Sequence, residues 1–153
     1  MGINTVIPGE IGIFQAMIAS GPVIIQQRDG VLKTLLVKHG DKPLTELKWK
    51  FCGGKVLVDS TLEDNAIREA KEEIGVEIKL LKPLKPMLIW NEIPESGSEK
   101  PQAIVLIHYL AETAGEPVKG AETLEMGWFD INNLPNDCAP NIRPVIAEYI
   151  ENL

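Results

Sequence analysis

Cysteine is scarce in this chain of 153 residues, which contains only Cys52 and Cys138. Their separation matches neither the ligand spacing of a zinc site nor a disulfide framework, so we expect two free thiols in a reducing compartment. Basic residues are also few, because 15 Lys and Arg stand against 22 Asp and Glu, for a formal charge of −7. A surface that binds nucleic acid needs clustered Lys and Arg. We therefore expect no nucleic-acid polymer among the partners.

Uninterrupted apolar runs are missing as well. Residues 11–25 are largely apolar, but Gln15, Gly21 and Pro22 interrupt them and no basic run precedes them. We therefore expect neither a membrane span nor a secretory signal. The amino end begins like an acylation signal, yet Val6 stands where that signal has Ser or Thr. These absences predict a cytoplasmic protein with no membrane partner.

Length and composition indicate a single domain. Hydrophobic residues make up 44% of the chain, and its 153 residues can form one well-buried core but are few for two. No internal repeat or low-complexity tract divides the sequence. We therefore predict one domain over residues 1–153.

Short apolar and β-branched segments, separated by turn residues, predict a sheet. The predicted strands are Ile13 to Ala19, Val23 to Gln26, Val31 to Val37, Val76 to Leu81, Met87 to Trp90, Ala103 to Leu110 and Glu125 to Phe129. Arg28-Asp29-Gly30 has the composition of a hairpin turn. The acidic stretch from Glu92 to Lys100 is expected to be a mobile loop.

A closing helix is predicted over Ile142 to Leu153, because its apolar residues recur at helical spacing. Its buried face would consist of Val145, Ile146, Tyr149, Ile150 and Leu153. Strands and helices in this order give an α+β fold class, and periodicity alone takes the fold no further.

The stretch from Gly53 to Val76 has the densest charge pattern of the chain. Ser60 and Thr61 each precede an acidic residue by three positions, which is the pattern of a helix cap, so a helix should begin near Thr61. Gly75 follows the last apolar residue of the helical pattern and should end the helix.

Glu69, Glu72 and Glu73 fall on one side of that helix, next to its apolar face. Like charges three and four residues apart oppose helix formation, so something should compensate them. A hard divalent cation such as Mg²⁺ would do so, because it takes oxygen ligands and bridges carboxylates to phosphates. The alternative is a solvated acidic face on which Arg68 and Lys71 are the partners.

This segment resembles the Nudix box, which reads Gly, five residues, Glu, seven residues, then Arg-Glu-apolar-any-Glu-Glu-any-Gly-apolar. Gly54 opens the match and residues 68–76 complete it without a gap. Ser60 stands where the family has its upstream Glu, with Asp59 adjacent, and Cys52 stands where a proline often precedes the glycine pair. The resemblance is tight over the box and looser elsewhere.

The resemblance implies a fold and a reaction. The fold would be an α/β/α sandwich, with a mixed sheet between the box helix and the C-terminal helix. The reaction would be Mg²⁺-dependent hydrolysis of a phosphoanhydride in a nucleoside diphosphate linked to another group, by attack of water on phosphorus, with Mn²⁺ as an alternative cation. Candidate substrates are a nucleoside triphosphate, an ADP-ribose-like nucleotide sugar and a dinucleoside polyphosphate. Many members are homodimers.

The same resemblance implies roles for the acidic residues. Glu69, Glu72 and Glu73 would bind the metal together with the carbonyl of Gly53, and Glu69 would act as the base or orient it. Glu122, in the loop before the last predicted strand, is the candidate for a further carboxylate that serves as base or ligand. Glu125 is the second candidate for that role.

Arg68 would brace the loop against the helix. Because Ser60 cannot be its acidic partner, either Asp59, Glu72 or Glu73 would replace the missing glutamate, or the brace would be weaker. Ser60 would keep a structural role as a helix cap.

Two other hypotheses stay open. Because Ser60 leaves the box incomplete, the chain could be a Nudix-fold nucleotide-binding or regulatory module with weak or no turnover. It could also be an unrelated α+β protein whose acidic helix is accidental. Outside the box, His108 interrupts an apolar strand and is expected in the core, whereas His39 is expected to be solvated in a loop.

Overall fold

The computed structural model describes residues 15–91 and 102–153. The first part of the predicted Ile13 to Ala19 strand and the predicted Glu92 to Lys100 loop lie outside the described residues. Within the described ranges, no helix combines the length and the hydropathy that crossing a bilayer requires.

The described residues form one sheet and two α-helices. The strands of the sheet are β1 (Gln15–Arg28), β2 (Val31–Lys38), β3 (Gly54–Lys55), β4 (Ile78–Pro83), β5 (Met87–Asn91), β6 (Gln102–Thr113) and β7 (Glu125–Asp130). The helices are α1 (Leu62–Ile74) and α2 (Ile142–Glu151), and a short 3-10 turn spans Leu44–Glu46.

The strands β1 and β6 run parallel through the centre of the sheet. Each is long enough to pair with two further strands in succession, β1 with β3 and then β2, and β6 with β5 and then β4. All four of these pairs are antiparallel, and β7 joins β2 in the same sense. The sheet is therefore mixed, as predicted.

The first two predicted strands form one continuous strand. The predicted break at Gly21-Pro22 is wrong, because both residues keep their register against β6. Gly21 serves close packing instead of a turn: a Cβ at this position would overlap the carbonyl oxygen of Cys52. The segment that leads into the glycine pair therefore crosses β1 in direct contact with its backbone.

The predicted hairpin at Arg28-Asp29-Gly30 is confirmed, and Asp29 and Gly30 both have positive φ, as a two-residue hairpin turn requires. The strand predicted from Val76 begins at Ile78 instead. Val76 lies in the connection between α1 and β4, where it is buried in the core beside α1 and does not pair with β6.

The box helix is confirmed as α1, with Thr61 and Gly75 at its two ends. Thr61 is the cap, because its side chain accepts a hydrogen bond from the Asp64 amide at 3.0 Å. The predicted capping role of Ser60 is wrong. Its hydroxyl donates to the carbonyl of Thr61 at 3.1 Å and satisfies none of the helix amides.

The closing helix is confirmed as α2, but its predicted apolar face is partly wrong. Ile142, Val145 and Ile146 are buried at helical spacing, whereas Ile150 is 39% exposed and Leu153 is 73% exposed. The helix ends at Glu151, so its last turn extends past the core and leaves these two side chains in solvent.

The two helices cover opposite faces of the sheet. Ile24 and Leu35 pack in the core that contains Ala70 and Ile74 of α1, whereas their strand neighbours Val23 and Leu36 pack in the core that contains Ile142, Val145 and Ile146 of α2. Because successive strand residues point to opposite faces, one core lies on each side. The architecture is the predicted α/β/α sandwich.

Candidate active site

The predicted acidic residues line one cavity of about 550 Å³. We call it the carboxylate cavity. It lies between α1, the glycine pair at the start of β3 and the loop before β7. The residues that line it include Gly53, Gly54, Glu69, Glu72, Glu73 and Glu122. The structure therefore brings together every residue that the sequence assigned to metal binding.

Glu73 is a largely buried acid of this cavity. Its side chain is only 12% exposed, and its Oε2 accepts a hydrogen bond from the Gly53 amide at 3.0 Å. Its Oε1 lies 3.3 Å from His39 Nε2. Burial raises the pKa of Glu73 from 4.5 to about 7, although the Gly53 hydrogen bond opposes the rise. The carboxylate thus has a strong tendency to acquire a proton or a cation.

Glu69 and Glu72 share Arg68 as a partner. Arg68 Nη2 donates to Glu69 Oε1 and Arg68 Nη1 donates to Glu72 Oε2, both at 2.8 Å. The Glu69 side chain is 12% exposed and that of Glu72 is 58% exposed. Burial raises the pKa of Glu69, and the charge and hydrogen bond of Arg68 lower it in opposition.

Asn65 completes the environment of Arg68, a role that sequence reasoning missed. It is fully buried, and its Oδ1 accepts a hydrogen bond from Arg68 Nη2 at 2.8 Å. Its Nδ2 donates to Ser20 Oγ at 3.0 Å and to the Gly54 carbonyl at 3.1 Å. One side chain therefore ties α1 to β1, to β3 and to the arginine.

The partner of Arg68 was predicted to be Asp59, Glu72 or Glu73. Of these only Glu72 pairs with it, and Glu69 and Asn65 supply the remaining acceptors. Asp59 is exposed in the turn before α1, where its backbone has a positive φ of 65°. Arg68 Nε is buried without a partner among the described residues.

Glu122 reaches the carboxylate cavity from the loop before β7. Three hydrogen bonds fix this loop to the last turn of α1. Thr123 Oγ1 and the Gly120 amide donate to the Glu73 carbonyl at 2.8 and 2.9 Å, and the Val118 amide donates to the Ile74 carbonyl at 2.8 Å. Glu122 itself is exposed. Glu125, the second candidate, pairs with Lys38 in the sheet and does not line the cavity.

The two histidines differ in how they match the prediction. His108 is in the core at 4% exposure, as expected, with Nε2 at 3.0 Å from Asn141 Nδ2. His39 begins a loop, as expected, but the prediction that it is solvated is wrong, because it lines the carboxylate cavity and contacts Glu73. His39 follows the last residue of β2, and only the pairing of that strand shows that its end lies at the cavity.

The donor set of the cavity suits a hard divalent cation, since carboxylate and carbonyl oxygens are the ligands of Mg²⁺ and Mn²⁺. Among the described residues, no group of three His, Cys, Asp or Glu side chains already converges at ligand distance. Arg68 binds one oxygen each of Glu69 and Glu72 and leaves the other oxygen of each without a hydrogen bond in the described ranges. The residues therefore fit a cation once these carboxylates turn toward a common centre.

Both cysteines are free, as expected. Cys52 is buried next to the glycine pair, and burial raises the pKa of its thiol, with Glu73 adding to the rise. A thiol in this state is a poor nucleophile and a poor metal ligand.

Known proteins resemble this chain over the whole cavity-bearing region. The NUDIX domain model matches residues 18–149. An ADP-ribose pyrophosphatase of Methanocaldococcus jannaschii is 31% identical over 130 residues, which cover 80% of this chain and 70% of that protein. This match excludes an unrelated α+β protein.

Solved structures share the fold. A MutT NUDIX hydrolase from Burkholderia pseudomallei has a TM-score of 0.65 at 24% identity and covers 88% of this chain and 98% of its own. A NUDIX hydrolase from Nitrosomonas europaea has a TM-score of 0.71 at 15% identity and covers 90% of each chain. With the domain match and the relative from Methanocaldococcus jannaschii, the chain belongs to the Nudix family of hydrolases.

Proposed function

We propose that the protein hydrolyses a phosphoanhydride bond in a nucleoside diphosphate linked to another group, and that it needs a divalent cation. The observation that carries this proposal is the convergence of Glu69, Glu72, Glu73 and Glu122 on one cavity. We favour an ADP-ribose-like nucleotide sugar as substrate, because the relative from Methanocaldococcus jannaschii is an ADP-ribose pyrophosphatase. Nucleoside triphosphates and dinucleoside polyphosphates belong in the same screen.

Mg²⁺ is the cation we propose, with Mn²⁺ as an alternative. Carboxylate oxygens of Glu69, Glu72 and Glu73 and the carbonyl of Gly53 would hold it. When bound, such a cation neutralises charge on the phosphate oxygens and lowers the pKa of the water that attacks phosphorus. The chain's own contribution is to hold these carboxylates close together in a partly desolvated cavity.

Arg68 would position two of these carboxylates. It binds one oxygen of Glu69 and one of Glu72, and among the described residues nothing hydrogen-bonds the second oxygen of either. Each carboxylate can therefore offer an oxygen to a cation while Arg68 retains the other. This arrangement limits the electrostatic repulsion between the two acids before the cation binds.

Glu122 is our proposed acceptor of the proton from the attacking water. It lines the cavity, and within residues 15–91 and 102–153 it forms no ion pair or hydrogen bond. Glu69 is the alternative base. Glu122→Gln should lower kcat by about a hundredfold and leave cation affinity unchanged, whereas Glu69→Gln should also weaken cation binding.

The test is a substrate screen with Mg²⁺ and with Mn²⁺, in which products are identified after hydrolysis in ¹⁸O-labelled water. The label shows which phosphorus the water attacks. Glu73→Gln should abolish turnover, and Glu77→Gln is its matched control, because Glu77 is an exposed acid that pairs with Lys71 outside the cavity. Turnover that survives in Glu73→Gln would refute the metal assignment.

A nucleotide-binding module with weak or no turnover is the second candidate, and Ser60 at the position of the family's upstream glutamate favours it. The same screen separates the two. Saturable binding of cation and nucleotide without product formation would identify the binding module.

A small nucleotide is the partner that the proposed reaction requires. A homodimer and a cytoplasmic location stay predictions. Sedimentation velocity at micromolar protein concentration tests the first of these, and a single species at 16.9 kDa would contradict it.

A further inference from the structure

A second cavity, of about 210 Å³, adjoins the carboxylate cavity and shares His39, Gly53 and Gly54 with it. We call it the second cavity. Its other walls come from β1, from residues 50–52, from β6 and from the start of α2. The shared residues make the two cavities continuous, so a ligand held among the glutamates can contact both.

The two cavities carry opposite charge. The carboxylate cavity is lined by four glutamates and by no Lys or Arg, whereas the second cavity is lined by no Asp or Glu. Among the described residues, Lys50 is the one Lys or Arg that lines either cavity. In a chain of formal charge −7, this is a marked local reversal of charge.

The Lys50 ammonium lies near Glu73 but forms no direct ion pair in the part of the chain that the structure describes. Lys50 is partly buried, and no ion pair or hydrogen bond involves its side chain there. Burial lowers the pKa of His39 and the Lys50 charge lowers it further, while Lys50 opposes the rise that burial causes in the pKa of Glu73. A partly desolvated cation that no anion contacts directly is costly, and an anionic ligand would offset that cost.

His108 and the amino end of α2 form a further part of the wall of the second cavity. His108 lines it, and with Asn141 Nδ2 donating to Nε2 the ring proton is on Nδ1, which is buried without a partner in the described ranges. The helix α2 begins directly after Asn141, and no side chain caps it. Amino ends of helices favour negative charge, so this wall and Lys50 favour the same class of ligand.

We propose that Lys50 binds a phosphate oxygen of the substrate directly, at the junction of the two cavities. The inference rests on the proposed function, because it places the phosphoanhydride among the glutamates. Four carboxylates repel a pyrophosphate, and a divalent cation on one side with Lys50 on the other would offset that repulsion. The lysine ammonium suits this role, since it is a compact charge with three donors. A neutral nucleobase would leave the charge without a partner.

Calorimetric titration with inorganic pyrophosphate in the presence of Mg²⁺ tests the proposal without catalysis. We expect saturable binding to the unaltered protein, weakening of about tenfold or more in Lys50→Met, and recovery in Lys50→Arg. Lys48→Met is the control, because Lys48 is exposed and lines neither cavity. The proposal is overturned if the unaltered protein binds no pyrophosphate, or if Lys50→Met binds it as well as Lys48→Met does.

Kinetics and cation binding provide the second readout. Lys50→Met should keep its affinity for Mn²⁺ and raise KM more than it lowers kcat, since it removes a binding contact. A fall in kcat with KM unchanged would contradict a direct phosphate contact. If the screen finds no turnover, the proposed function fails while the pyrophosphate titration still decides the role of Lys50. Should Lys50→Met lower the thermal midpoint, Lys50→Gln is used in its place.

Discussion

Because Gly54 has no side chain, the Glu69 carboxylate can lie directly against its backbone. A Cβ added to Gly54 would lie 2.6 Å from Glu69 Oε1, closer than real Cβ contacts come. The glycine pair of the box therefore has a steric role in the site, because it lets a buried carboxylate approach the backbone of β3. Gly54 also supplies the carbonyl that Asn65 binds, so one residue links the strand, the helix and the acid.

Gly54→Ala should therefore displace the Glu69 side chain from the cavity. The flexible carboxylate can move, so we expect the fold to persist while kcat/KM falls about tenfold or more and the affinity for Mn²⁺ weakens. Gly115→Ala is the matched control, because nothing lies within 4 Å of a Cβ at that glycine. Equal kinetics for the two variants would show that the position of Glu69 does not depend on Gly54.

The buried Glu73 makes the stability of the metal-free protein depend on pH. Burial raises its pKa from 4.5 to about 7, so between these pH values the folded state holds more protons than the unfolded chain. The free energy of unfolding should fall as pH rises through this window, by up to about 3 kcal/mol. Urea unfolding in EDTA at pH 5, 6, 7 and 8 measures the effect.

The control for this measurement is Glu73→Gln, which cannot ionise. His108 acts in the opposite sense, because burial lowers its pKa to about 4 and so costs stability as pH falls. The difference between the unaltered protein and Glu73→Gln removes the His108 contribution. A difference that stays constant from pH 5 to pH 8 would contradict the raised pKa of Glu73.

The cap of the box helix gives a direct contrast between neighbouring residues. Thr61→Ala removes the acceptor of the Asp64 amide and should lower the free energy of unfolding by about 1 kcal/mol. Ser60→Ala removes only a hydroxyl that donates to the Thr61 carbonyl, so we expect a change within about 0.5 kcal/mol. Denaturant unfolding of both variants tests this, and a larger loss in Ser60→Ala would return the capping role to Ser60.

The site was predictable as far as its signal is local in sequence. The spacing of Glu69, Glu72 and Glu73 places them on one side of a helix, and the structure has that helix where the capping residues predicted it. The continuous burial of Leu35, Leu36 and Val37 in β2 likewise follows from their local apolar run. The sequence therefore predicts those features of the site that depend on the spacing of residues within a single helix or strand.

The residues that were missed depend on pairing between distant segments. His39 reaches the cavity because β2 ends beside the segment before the glycine pair, where Val37 bridges Lys50. Gly21 looks like a strand breaker until the crossing of Cys52 over β1 is known. Asn65 is polar on a buried face, and only its partners on β1 and β3 explain it.

Restoring the family's glutamate should bring no gain. Both terminal nitrogens of Arg68 already have acceptors, in Glu72, Glu69 and Asn65, so Ser60→Glu should leave kcat/KM within about threefold of the unaltered protein. Ser60→Gln, which has the same length without the charge, is the control. A tenfold increase in Ser60→Glu alone would show that Arg68 still lacks an acidic partner.

Asn65 should be more important for stability than its neutral side chain suggests. Asn65→Leu keeps the side-chain volume roughly but removes one hydrogen-bond partner each from Ser20, the Gly54 carbonyl and Arg68 Nη2. Because buried polar groups without hydrogen bonds are costly, we expect the free energy of unfolding to fall by about 3 kcal/mol. Asn152→Leu is the control, since Asn152 is exposed and bonds one carbonyl of its own helix. Comparable losses in the two variants would mean that the buried hydrogen bonds of Asn65 do not contribute to the free energy of unfolding. Titration of Asn65→Leu with Mn²⁺ would then show whether Asn65 helps to position Glu69 for cation binding.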